Sequence, residues 1–191
     1  MSGRPRDPDL EKRLLSAAWS LLTRQGYDAL KLTQVAAEAN AHRTDVYRRW
    51  SSKARLVTDA LAEHLPPVSE VDTGSLRSDL RAFVDDLAAS WSSSWIDGLV
   101  GLLADLRTDS EADTAFREMG ERRGQPLRNA IARAEQRGEI GEVPDLFLVG
   151  DLLEGPLMHR RMFGRRPLTP DYLEAVARSA HGLLTGMAVA R

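Results

Sequence analysis

Arg43, Thr44, Tyr47 and Arg48 stand close together in the stretch RTDVYR. On a helix of 3.6 residues per turn, Val46 and Trp50, four apart, form one edge, which leaves the other four on the outer face. Two guanidiniums, a hydroxyl and a phenol suit the edges of nucleic-acid bases and the phosphates beside them. Ser52 follows as the expected N-cap of a further helix, with Lys53 in its first turn. Backbone N–H groups left over at such a terminus, with an ammonium beside them, suit a phosphate. Asp45 leaves two roles open. It can bond back to the backbone N–H of His42 and complement the helix dipole, or it can accept a hydrogen bond from cytosine N4.

Other chemistry finds little to work with. Cysteine is absent, which removes disulfides, thiolate metal sites and cysteine nucleophiles. His42, His64, His159 and His181 make no His-x-x-x-His pair and join no serine or carboxylate in a known catalytic pattern, and no glycine-rich phosphate loop is present. No catalytic residue, metal site or cofactor site is assigned, and an enzyme is the weakest reading. A helical protein-interaction module without DNA binding is the alternative. It must treat Arg43, Tyr47, Arg48 and Lys53 as ordinary solvated residues.

Two short helices must position the outer face. Thr33 is the expected N-cap of a helix over Gln34–Ala39, which turns Val35, Ala36 and Ala39 inward. Its hydroxyl, at the head of the first helix, joins the expected contact set. Asn40 sits at the turn, where a left-handed backbone is wanted, and the second helix runs about Arg43 to Trp50. This is a helix-turn-helix, whose second helix enters the DNA major groove. A preceding amphipathic helix over Asp9–Arg24 is marked by Leu10, Leu14, Ala18 and Leu22, with Gly26 at its C-cap.

At these residues the chain resembles the N-terminal domain of TetR-family transcriptional regulators. The resemblance rests on Gly26-Tyr27, on Thr33 to Ala39, on Val46-Tyr47-Arg48-Arg49-Trp50 and on Ser52 to Val57. Asn40, Ala41 and His42 stand where the family usually has Gly, a small apolar residue and Ser. Asp45 stands where it often has Thr, so the threonine's phosphate contact is not carried over.

Composition agrees. The 191 residues are 42% hydrophobic and 28% charged, ordinary for a globular protein. Residues 1–56 hold 11 Lys and Arg against 6 Asp and Glu, whereas the remainder holds 15 against 22. A basic N-terminal part on an acidic body points to a polyanion at one end only. Met1 to Asp9 carries Arg4-Pro5-Arg6, either an unstructured tail or a basic arm on DNA. With no membrane-spanning run and no signal-peptide pattern, a cytoplasmic setting is expected.

A helix from Ser52 to Leu65 ends at Pro66-Pro67, and the linker-like run Pro66–Ser75 divides a DNA-binding domain, 1–65, from a second domain, 76–191. Helical spacing resumes at Leu76, and Trp95 opens another apolar segment. Thr108 to Glu111 fits a capping box, and Gly120, Gly124 and Pro126 suggest a break in the helix it starts. Two long helices close the chain, Asp145–Met162 and Thr169–Ala188. The expected fold is all-α, about nine helices: a three-helix DNA-binding domain and a larger C-terminal bundle.

Arg133 to Glu139, Gly155-Pro156-Leu157 and Gly164 to Leu168 also resemble the C-terminal domain of a large TetR subgroup. The resemblance implies a small-molecule pocket and a dimer interface there. Trp91, Trp95, Phe116, Met119, Met158, Met162 and Phe163 are candidates to line a pocket for a largely apolar effector, with His159 as a polar contact. Small and apolar residues on the last two helices, Leu152, Gly155, Ala177, Ala180 and Leu184, are the expected dimer contacts. The implied protein is a homodimer on a pseudo-palindromic operator.

Overall fold

The computed structural model describes residues 8–141, 143 and 145–189; the Arg4-Pro5-Arg6 arm lies outside them. The described residues form nine α-helices and no strand. In order they are α1 (Pro8–Ala29), α2 (Leu32–Glu38), α3 (Arg43–Tyr47), α4 (Lys53–His64), α5 (Leu76–Trp91), a short 3-10 helix (Ser94–Gly98), α6 (Leu99–Leu106), α7 (Ser110–Gln136), α8 (Leu146–Met162) and α9 (Pro170–Val189). They divide into two compact units. One holds the residues up to Leu65 with Ser94–Met119, the other Pro66–Ser93 with the residues from Gly120 onward.

In the first unit α1 packs on α2, α4, the 3-10 helix and α6. Its inner face carries Leu14, Ala18, Leu21 and Leu22, all buried. Gly26, at φ +80°, breaks α1 where the sequence places its end, and one more helical turn follows to Ala29. The segment 94–119 joins this unit, whereas the sequence groups it with the C-terminal helices. Two glycines allow the approach. A Cβ on Gly98 would stand 2.7 Å from the Tyr27 backbone nitrogen, and one on Gly101 would press on the Asp28 carboxylate and the Tyr27 ring. Ile96, Leu99, Leu102 and Leu106 are buried as the segment closes.

In the second unit α5 packs on α8 and α9, which also pack on each other. Leu76, Leu80, Phe83, Val84, Leu87 and Trp91 form the buried face of α5, as their spacing predicts. The α9 stripe of Leu173, Val176, Ala177, Ala180 and Leu184 is buried within this chain. Three of the expected dimer contacts, Ala177, Ala180 and Leu184, lie on this stripe, where α9 packs on α5 and α8. Leu152 and Gly155 on α8 are half-buried. Large apolar side chains stay exposed elsewhere on these helices, among them Phe147 (75%), Leu148, Met158 and Leu183 (52%).

Three local readings shift. The N-cap of α7 is Asp109 rather than Thr108: the Asp109 carboxylate accepts the Ala112 N–H at 3.0 Å. The helix then runs unbroken past Gly120, Gly124 and Pro126. Buried Leu127, Ala130, Ile131 and Ala134 outweigh the one hydrogen bond a proline removes. The run Pro66–Ser75 is non-helical as expected, but it is pinned. Buried Asp79 accepts the Thr73 N–H and hydroxyl at 2.8 and 2.7 Å, and Arg133 reaches Glu70 at 2.7 Å.

Candidate nucleic-acid interface

The outer face of α3 is built from its inner one. Val46 and Trp50 are fully enclosed, Trp50 at 3% exposure, and the Trp50 indole donates to Asp59 of α4 at 2.9 Å. Arg55 holds the same carboxylate at 3.1 and 3.2 Å. With that edge fixed, helix geometry turns Arg43, Thr44, Tyr47 and Arg48 to solvent, and all four are exposed, Tyr47 at 56%. Helical hydrogen bonds continue past Tyr47, from the Arg48 and Trp50 N–H groups to the Thr44 and Val46 carbonyls. The helix itself ends at Tyr47, short of the Trp50 the sequence predicts, and Arg48 follows as its C-cap with helical dihedrals.

The turn that sets this helix against α2 depends on Asn40, at φ +50°. An asparagine tolerates that left-handed conformation, which would strain a branched side chain. The start of α2 differs from expectation. Lys31 is the N-cap and Thr33 lies inside the first turn. The Gln34 amide oxygen, not a threonine hydroxyl, accepts the Lys31 N–H at 2.9 Å. Glutamine at the third helical position is the reciprocal half of a capping box, and it satisfies the terminus when the preceding residue has no acceptor. Thr33 thus stands in the first turn of the helix and not at its cap.

Ser52 caps α4 as expected, its Oγ accepting the Arg55 N–H at 3.0 Å. Its hydroxyl also holds the Asp109 carboxyl below the usual aspartate range, helped by the Ala112 N–H. Ser51 donates to Glu111 at 2.8 Å and Arg55 reaches the same carboxylate at 2.9 Å. The start of α7 therefore grips the start of α4. Lys53 turns inward: its Nζ sits 3.9 Å from the centre of the Tyr27 ring and donates to the Tyr27 carbonyl at 3.3 Å. Tyr27 is buried, and its hydroxyl donates to Asp105 at 2.5 Å. Burial first, and then this carboxylate, push the phenol far above its ordinary range.

Asp45 lies in the first turn of α3, where its charge complements the helix dipole, but it does not bond back to the His42 N–H. No side chain caps the N-terminus at His42. The Asp45 carboxylate instead accepts from Arg48 Nη2 at 2.8 Å and lies 3.7 Å from Arg49 Nη1.

The profile "Bacterial regulatory proteins, tetR family" matches residues 14–60, and "Tetracyclin repressor-like, C-terminal domain" matches residues 70–180, more than half the chain. The chain belongs to the TetR family. It is a transcriptional regulator of the helix-turn-helix kind, and the family is one of regulators rather than enzymes. A "DNA-binding transcriptional repressor TetR" of Mycobacteroides abscessus is 34% identical over 79% of this chain and 81% of its own. A regulator of Mycobacterium bovis, Mb1581, is 32% identical over 92% and 90%. The crystal structure of the TetR-family regulator SCO0332 superposes with a TM-score of 0.71 at 24% identity, over 91% of this chain and 97% of that one.

The expected effector residues of this TetR-family chain fall in both units. Trp95, Phe116 and Met119 belong to the first, Trp91, Met158, His159 and Met162 to the second. Trp95 and Met119 are core residues of the first. Phe116 lines an open groove of 540 Å³ with Leu103, Leu106, Arg107, Asp113 and Arg117. In the second unit Trp91 is buried, its indole donating to Glu154 at 2.9 Å. Met162 is half-buried, Met158 and His159 face outward, and His159 stacks on Phe163. Sequence spacing missed Gln34, Asp105 and Asp109. The three-residue offset of Asp45 and Arg48 was a readable sign of their pairing.

Proposed function

We propose that this TetR-family regulator is an effector-responsive repressor that binds a pseudo-palindromic DNA operator as a homodimer in the cytoplasm. The observation that carries the reading is the outward face of α3, where Arg43, Thr44, Tyr47 and Arg48 are exposed on a helix anchored by Val46 and Trp50. Ser52 and Lys53, with Thr33 at the head of α2, supply the phosphate contacts at its two flanks. Residues 1–65 hold the DNA-reading elements, and residues 76–191 serve effector binding and dimerisation. The M. abscessus relative, described as a DNA-binding repressor, supports repression over activation.

The exposed apolar residues of α8 and α9, with half-buried Leu152 and Gly155, support a subunit interface on the outer sides of these helices. A two-fold dimer presents two copies of α3 and so reads two half-sites. The effector is largely apolar. Phe116, Leu103 and Leu106 support an apolar contact in the groove they line.

The deciding experiment selects bound duplexes from a random pool and follows with a gel-shift titration against competitor DNA. The expected result is an inverted repeat bound about a thousandfold or more above random DNA. A helical interaction module without DNA binding would enrich no motif and give equal, weak binding to all duplexes.

A further inference from the structure

We infer that Asp45 is a specificity-determining residue that acts through Arg48, holding its guanidinium ready for one base pair; the inference rests on the DNA-reading role proposed for α3. Three observations carry it. The first is geometry: Arg48 Nη2 donates to Asp45 Oδ1 at 2.8 Å, while the arginine side chain stays 66% exposed. The second is what fixes the carboxylate. The Asp45 side chain is itself only 18% exposed, and Arg49 braces it from the inside. The Arg49 side chain is 5% exposed, donates from Nη1 to the Asp45 carbonyl at 3.0 Å and lies 3.9 Å from Glu11 of α1. A run of charges, Glu11–Arg49–Asp45–Arg48, thus leads from the supporting helix to the outer face.

The third is donor arithmetic. A guanidinium carries five N–H groups in a planar fork. One N–H spent on Asp45 leaves a second on the same nitrogen and both on its neighbour, the end-on pair that matches guanine O6 and N7. An exposed ion pair of this kind adds little to stability. What it does is narrow the rotamers of a long side chain before binding, so less freedom is lost when the base is engaged. A carboxylate beside phosphates opposes binding to any DNA, so its presence here trades general affinity for discrimination.

The test uses the full chain and the wild-type consensus from random-pool selection. Arg48→Ala identifies the base pair that Arg48 reads. Asp45→Ala should weaken discrimination at that same base pair by about five- to a hundredfold, and the double variant should lose no more than either alone. Affinity for random duplexes should rise in Asp45→Ala, because a negative charge has gone. Asp45→Asn, which keeps an acceptor for Arg48, should recover part of the discrimination. Thermal melts accompany each variant.

Three results overturn the inference. Discrimination could stay intact in Asp45→Ala. The altered preference could fall at a base pair other than the one Arg48 reads, which would make Asp45 a direct reader. Affinity could drop for operator and random DNA alike, together with the melting temperature, which would make it a structural residue. A wild-type chain that enriches no consensus would instead defeat the DNA-reading role beneath it.

Discussion

At the scale of single residues, the inward-turned Lys53 is the one whose two partners compete. Its ammonium rests on the Tyr27 ring and carbonyl, yet it stands at the head of α4 where a phosphate would sit. Lys53→Ala should weaken binding to all sequences alike and lower the salt dependence by about one unit. Titrations at several salt concentrations check this, and an unchanged slope would confine Lys53 to packing on Tyr27. Asp109 gives a pH signature. The Ser52 hydroxyl and the Ala112 N–H hold its folded pKa below the unfolded one. Its contribution to stability is therefore full above the unfolded aspartate pKa of about 4 and is lost as pH falls through the folded value. Melting temperature should drop less steeply with acid in Asp109→Asn. Glu70, Glu139 and Glu174, which hydrogen bonds also hold low, contribute to the remaining drop. The outward quartet of α3 was legible because helical period alone decides which side of Trp50 is wet. The inward partner of Lys53 was not, because a long charged side chain chooses among several neighbours at nearly equal energy.

At the scale of elements, the small helices of the first unit depend on their ends. Ser52→Ala removes the acceptor for the Arg55 N–H and should cost about 1 kcal/mol, visible in a denaturant titration. Gly98→Ala should cost about 1–3 kcal/mol, since its Cβ would meet Tyr27 backbone. A melting temperature equal to wild type would show that the 3-10 helix can ride away from Tyr27. Buried stripes on α1, α4, α5 and α9 were legible from spacing, because burying an apolar face is what stabilises a helix in a protein. Which neighbour each stripe meets was not legible. The stripe on α9 reads equally well as a subunit contact or as core, and only the packing of α5 decides for core. The capping of α7 slipped by one residue because Thr108 and Asp109 both carry a suitable oxygen.

At the scale of the whole molecule, the two faces of the last helices make opposite forecasts. Leu184→Glu places a charge at 3% exposure and should unfold the chain rather than dissociate it. Leu183→Glu, on the exposed side, should stay folded and sediment as a monomer if the interface lies there. Effector action has a thermodynamic check. A compound that releases the operator must lose affinity in the operator's presence by the same factor, typically about 5–150-fold. Equal affinities with and without DNA, alongside release, would rule out a single linked site. The discontinuous make-up of the first unit has a consequence for synthesis. The helix-turn-helix is encoded early, yet the helices that close its core, the 3-10 helix and α6, come only after the whole of α5. Translation runs at about 5–20 residues per second, so the inner faces of α1 and α4 wait for several seconds without their cover. The part of the chain made first is not finished first, and the nascent regulator is most open to proteolysis and wrong association in the interval before α6 leaves the ribosome.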